Sequence, residues 1–127
     1  MSDYYKPIIL PEAQQDIRGI VLYIAQELFA PKAALDLQND FYKAIQKISY
    51  MPSRIKTIDE EPWGSQGVRK IRVKNYYIYF IADDNEMAVK VTAVIYVGRD
   101  QEKQMALREK AEGEIVLEAL AKSNIWR

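Results

Sequence analysis

The sequence has no cysteine and no histidine. These two absences together exclude disulfides, Cys-ligated zinc, thiol catalysis and any Ser-His triad. They also remove the side chain best matched to acid–base work near neutral pH. An enzyme built from this chain has to use Lys, Arg, Tyr, Asp or Glu, and neither a metal nor a cofactor is expected. Net charge is absent too, because 18 Lys and Arg balance 18 Asp and Glu. An argument for nucleic-acid binding therefore has to rest on local clustering, not on the field of the whole molecule. No apolar run approaches the roughly 18 residues of a membrane span, so no membrane partner is expected. The N-terminal Met-Ser-Asp-Tyr-Tyr-Lys carries no apolar core of a signal peptide. Lack of cysteine is compatible with a reducing cytosol, and a cytoplasmic location is the expectation.

What is present is a globular composition. The chain has 127 residues, 49% of them hydrophobic and 28% charged, enough for a real core without staples. Tyr5 to Leu10 reads as a short strand, with Pro7 marking it as an edge or a strand end. Pro11 suits the first turn of a helix, and Ile17, Ile20, Val21, Ile24 and Leu28 keep helical spacing. Gly19 weakens that helix by about 1 kcal/mol relative to Ala. Pro31 opens a second helix with Ala34, Leu37, Phe41, Ile45 and Ile48 on one stripe, and Pro52 lies past its end. The short link around Phe29 favours an antiparallel helical hairpin. Met51 to Gln66 is the longest irregular stretch, with the acidic triplet Asp59, Glu60 and Glu61 read as solvated and Trp63 as its anchor.

The period then changes to two. Val68 to Lys74, Tyr76 to Ala82 and Met87 to Val97 read as a three-strand meander, with turns at Asn75 and at Asp83-Asp84-Asn85-Glu86. From Asp100 to about Lys122 the composition is helical, with Gly113 as a break. The expected fold is α+β: β-α-α-β-β-β, an antiparallel sheet packed on a helical hairpin, plus a C-terminal helix. Strict alternation puts Ile71, Val73, Ile78, Phe80, Val89, Val91, Ala93 and Ile95 on the helix-covered face. The opposite face then carries Lys70, Arg72, Lys74, Tyr77, Tyr79, Lys90, Thr92 and Tyr96, left uncovered. Alternating cations alone describe an ordinary solvated face, but the clustered tyrosines favour a binding surface. Arg69 falls in phase with the apolar face, where an unpaired charge is costly, so a carboxylate partner is expected to hold it at the start of the meander.

In this order, "YKPIILPEAQQDI", "GIVLYIAQ", "FYKAIQKISYMP", "GVRKIRVKNYYIYFI" and "AVIYVGRD" resemble the RelE/ParE superfamily of bacterial toxin–antitoxin toxins over about residues 4 to 101. Gly67-Val68-Arg69 is similar to the Gly-Leu-Arg that begins the meander in the ParE branch. Gly98-Arg99-Asp100 is similar to that branch's Arg-Asp ending. The resemblance implies the toxin of a type II, plasmid-stabilisation module, without cofactor and neutralised by a cognate antitoxin. ParE-like members poison DNA gyrase, whereas RelE-like members cleave mRNA in the ribosome. RelE-like cleavage uses basic residues that match Lys70 and Arg72. Its next arginine falls on Tyr77, its late arginine on Asp100 with Arg99 one place early, and its late tyrosine near Met105 or Ala106. Cutting RNA needs a base for the 2′-OH and groups that stabilise the phosphorane, and half of that set is missing.

The resemblance therefore favours a gyrase-directed, non-enzymatic toxin. The alternatives are a ribosome-dependent mRNA endonuclease using Lys70, Arg72 and Arg99, and a non-toxic binding module. The target- or antitoxin-binding face would consist of Lys70, Arg72, Lys74, Tyr77, Tyr79, Lys90, Tyr96, Arg99 and Asp100, with Arg69 as a structural charge. The chain departs from the family in being neutral and in continuing beyond the Arg-Asp. It divides into a toxin domain, 1–100, and a helical extension, 101–127. Val116, Leu117, Leu120 and Ala121 of the extension form an apolar stripe suited to docking on the body, covering the open face or pairing two protomers as a homodimer.

Overall fold

The computed structural model describes residues 4–107 and resolves two compact units, one ending at Tyr96 and one beginning at Val97. The first unit runs β1 (Lys6–Ile9), α1 (Pro11–Leu22), α2 (Pro31–Ile48), β2 (Arg69–Val73), β3 (Tyr76–Asp83) and β4 (Ala88–Tyr96). Its sheet has the order β1-β4-β3-β2. β2, β3 and β4 form the antiparallel meander, and β1 adds to β4 in parallel, Lys6 opposite Ala88 and Ile9 opposite Val91. The helical hairpin crosses the sheet between β1 and β2. The meander then brings β4 back beside β1, and the sheet is mixed at that one pairing.

Pro11 and Pro31 both stand in the first turn of their helices, where a missing N–H costs nothing and the fixed φ is already helical. α2 buries Ala34, Leu37, Phe41, Ile45 and Ile48 on one face, the stripe that its spacing predicts. α1 buries Ala13 and Ile17, with Ile20, Val21 and Ile24 packed beside them. It does not continue as an α-helix to Leu28. Tyr23–Glu27 widens into a π-helical turn, with Leu28 N–H donating to the Tyr23 carbonyl at 3.2 Å. The extra residue per turn rotates Leu28 and Phe29 outward, and Phe29 is 87% exposed at φ 53°. Phe41, Ile78, Phe80, Val89 and Val91 are fully buried between hairpin and sheet. Burying each such side chain contributes about 1.5–3 kcal/mol.

One feature overturns the strict alternation. Tyr79 pairs with Ala93 and Phe80 with Val91, so Thr92 has no partner of its own and forms a β-bulge. An inserted residue reverses the phase beyond it. Val94 and Tyr96 therefore face the helices with Ile78 and Tyr76, while Ala93 and Ile95 face away with Tyr79 and Tyr77. Past the bulge, β4 has outgrown β1, and the Val94 N–H donates to Asp16 Oδ2 of α1 at 2.9 Å.

In the second unit, Asp100 caps a helix over residues 101–107, α3. Its carboxylate accepts the Lys103 N–H at 3.1 Å and its carbonyl accepts that of Gln104. Gly113 and the stripe from Val116 to Ala121 lie outside the described residues. Among the described residues, no helix is long and apolar enough to cross a membrane.

Two glycines give opposite expectations. A Cβ at Gly19 of α1 meets nothing within 4 Å, whereas one at Gly64 lies 2.1 Å from the Ile58 carbonyl oxygen. Gly19→Ala should stabilise the fold by about 0.5–1 kcal/mol. Gly64→Ala should destabilise it by about 1–3 kcal/mol. Urea denaturation midpoints of the two variants test both signs.

Candidate functional site

The meander's second face is not fully open. The long loop folds back on its β2 edge and is pinned at the start of that strand. Thr57 bridges Arg69, the Ile58 N–H donates to the Val68 carbonyl at 2.8 Å, and the Val68 N–H donates to that of Trp63 at 3.1 Å. Ile58 and Trp63 are buried. Gly67, at φ +88°, takes the left-handed conformation that lets the loop turn into the strand. Arg69 completes the pin through Nη1, which donates to the Ile55 carbonyl. The expected carboxylate partner is thus replaced by a backbone oxygen, and Arg69 Nε is buried without a partner among the described residues.

Each meander cation is engaged locally. Lys70 Nζ lies 3.8 Å from Glu60 Oε1 of the loop and 4.4 Å from the centroid of the Tyr77 ring. Arg72 turns its Nε to the Lys74 carbonyl at 2.8 Å and so braces the hairpin turn. Lys74 was expected beside Lys70 and Arg72. It sits instead in that turn at φ 52° and reaches Asp40 of α2 at 2.9 Å, on the helix side. Lys90 is held by Asp83 at 3.1 Å and Glu86 at 3.3 Å.

The tyrosines separate as well. Tyr77 and Tyr79 stay together, rings tilted at 6.3 Å, but Tyr79 is only 1% exposed and does not line an open surface. Strict alternation puts Tyr96 on the same face, but the bulge moves it to the helix side. There it meets Tyr76 edge-on at 5.8 Å, and Tyr76 meets Phe41 at 5.5 Å. Arg99 and Asp100 belong to the second unit, where Asp100 serves as the cap of α3. The structure therefore brings together Lys70, Tyr77 and Tyr79 and adds Glu60. In the sequence, Glu60 was visible only as one of three adjacent acids in the longest loop. Its pairing with Lys70 joins residues ten apart across an irregular chain, which no periodicity reveals.

The electrostatics follow from these contacts. Donating a hydrogen bond to Asp40 raises the pKa of Lys74, and donating one to Asp83 raises that of Lys90. Asp83 is held below its usual range by the Glu86 backbone N–H and then by Lys90. Burial pushes Tyr79 far above the ordinary phenol range, with smaller contributions from the charges of Glu60 and Tyr77. At neutral pH this phenol is a proton-bearing group, not a base. No group of three or more acidic, His or Cys side chains suited to a metal ion occurs among the described residues.

The raised Tyr79 pKa carries a stability consequence. The unfolded phenol ionises near pH 10 while the folded one keeps its proton, so stability is full below about pH 10 and falls as pH rises beyond it. Tyr76, raised mainly by burial, acts in the same direction. Tyr79→Phe should make the alkaline loss of stability shallower, measured by urea denaturation across that range. Slopes equal to those of the unsubstituted protein would contradict the assignment.

With this geometry in place, the chain can be compared with known proteins. Residues 8–101 match the family described as ParE toxin of type II toxin-antitoxin system, parDE. No curated protein matches in sequence. Among solved structures, the chromosomal ParDE system of P. aeruginosa aligns with a TM-score of 0.62 at 16% identity, covering 76% of this chain and 99% of that one. The free E. coli toxin RelE, with two arginines replaced by alanine, aligns with a TM-score of 0.56 at 14% identity, covering 84% of this chain and 97% of that one. Identities this low speak for the fold. The family match carries membership, and it runs from β1 through the whole sheet to the first residue of α3. The chain thus belongs to the ParE toxin family of type II toxin–antitoxin systems.

Proposed function

We propose that this chain acts as a toxin by protein–protein contact with DNA gyrase, in the cytoplasm, and is neutralised by a cognate antitoxin. One observation carries the first part: the meander cations turn toward neighbours within the chain and do not converge on one point. RNA cleavage needs donors aimed at a vacant phosphate position and a base for the 2′-OH. Lys70 faces Glu60 and Tyr77, Arg72 faces a carbonyl, and Lys74 and Lys90 face carboxylates. Tyr77 stands where the RelE-like pattern has an arginine. Asp100, at the place of the late arginine, caps a helix. A half-buried Tyr77 beneath a single ammonium suits a protein partner more than a scissile phosphate.

The antitoxin reading is supported by the family match and by the paired composition of the P. aeruginosa ParDE system. The expected partner is a small protein whose C-terminal part folds over the toxin, by a helix laid in a groove or by strand addition. The residues after 101 lie beyond the matched region and are read as a separate helical extension.

The test is expression with and without the adjoining antitoxin frame, followed by supercoiling assays on purified gyrase. Growth arrest and loss of supercoiling by antitoxin-free protein are expected. Undisturbed supercoiling with mRNA cuts mapped by primer extension would instead assign the endonuclease using Lys70, Arg72 and Arg99. Normal growth on expression would assign a non-toxic binding module.

A further inference from the structure

The acidic loop contains three adjacent carboxylates with three different fates. Asp59 reaches Lys56 at 3.9 Å, with both side chains at least 85% exposed. Glu61 accepts the Ser65 N–H within the loop at 3.2 Å. Only Glu60 turns toward the sheet, where its side chain and that of Lys70 are 31% and 28% exposed. The ammonium of Lys70 stands over the Tyr77 ring, Tyr77 leans on Tyr79, and the charge of Glu60 is felt at the Tyr79 phenol. The Glu60 carboxylate thus faces a socket in which one ammonium rests on the first of two neighbouring phenol rings.

We propose that this socket is a binding site for an acidic side chain on a peptide segment of a partner protein, and that Glu60 occupies it when no partner is present. The site's charge complementarity is shown by its own occupant. At 3.8 Å the Glu60–Lys70 contact is long; charge-assisted N–H···O bonds close to about 2.7–2.9 Å. The pins at Ile55, Ile58 and Trp63 hold the loop on either side of Glu60. A carboxylate arriving on an untethered chain meets no such restraint. Nucleic acid fits less well. A phosphate backbone needs successive cations, and Arg72 and Lys90 are turned to their own partners. Base stacking needs an open ring face, but Tyr79 is buried and Tyr77 lies beneath Lys70.

An internal occupant lowers apparent affinity by the fraction of time the site is filled. The loop is then an autoinhibitory latch on the face, whichever target the toxin strikes, so this inference does not depend on the gyrase reading.

The test uses the full chain and a fluorescein-labelled nona-glutamate peptide followed by anisotropy at low salt, with a nona-uridylate RNA as the second arm. Glu60→Gln should tighten peptide binding roughly twofold to fivefold, and Lys70→Met in that background should abolish the gain. Asp59→Asn removes the same charge outside the socket and should have little effect. Equal tightening by Glu60→Gln and Asp59→Asn would report net charge alone and overturn the proposal. Tightening of RNA without peptide would overturn it as well. Should Glu60→Gln lower the melting temperature, the unsubstituted protein gives the answer. The 13C shift of the Glu60 carboxyl should move on addition of peptide, and an unmoved shift at saturation sinks the latch.

Discussion

Side chains alternate along a strand until a residue is inserted, and Thr92 is the inserted residue in this sheet. Much of the sheet's far end depends on it. Beyond Thr92, Val94 and Tyr96 join the layer that packs on α2, and Phe41, Tyr76 and Tyr96 form a chain of edge-on rings. The same reversal sends Ala93 and Ile95 to the face of Tyr77 and Tyr79, which gives that face an apolar floor instead of a polar surface. The bulge sits where β1 ends. Leu10 makes the last bond to β4, at the Val91 carbonyl, and Asp16 takes the Val94 N–H that a longer β1 would otherwise meet. The Thr92 hydroxyl donates to the Tyr79 carbonyl at 3.3 Å and ties the extra residue back to β3.

The second organising fact is how neutrality is distributed. Equal numbers of acids and bases could be scattered over the surface, but on the meander they are matched locally, Lys70 with Glu60, Lys74 with Asp40, and Lys90 with Asp83 and Glu86. Exposed pairs of this kind stabilise a fold by little. Their effect here is directional, because each pair decides where a cation points. A stripe of aligned free cations would project a field able to steer polyanions from a distance. Cations tied to neighbours on the loop, on α2 and in the β3–β4 turn project much less of one.

Much of the fold was legible in the sequence because its signals are local and redundant. The prolines at 11 and 31, the five-residue stripe of α2 and the period-two runs of the meander each specify an element with several residues, so one exception does not spoil the reading. The family likeness was legible for the same reason: several weak segments occur in one order. What could not be read has a different physical character. Thr92 is a β-branched residue with nothing to mark a bulge, and because alternation propagates, one inserted residue misplaced Ala93, Val94, Ile95 and Tyr96 together. Lys74 was counted with the strand, although a left-handed turn conformation sends its ammonium to the helices. Tyr79 lies on the face assigned to it, yet burial there depends on the tertiary fold and not on alternation. The phase of Arg69 points to a carboxylate, but the partner is the Ile55 carbonyl, because it depends on where an irregular loop comes to rest.

The position of Tyr77 shows how a small change alters what such a face does. A guanidinium there would add a fork of donors beside Lys70 and aim positive charge outward. A phenol supplies a platform instead, and the ammonium of Lys70 settles over its ring. Glu60 then approaches the same ammonium from the loop, so Lys70 is held by ring and carboxylate together. The tyrosine and the loop acid have related effects, the one replacing a donor and the other occupying the neighbour that remains. What is left is an apolar floor, two rings and one cation whose carboxylate partner is held at a distance. Such a set fits the proposed acidic side chain better than a run of phosphates, which calls for successive cations.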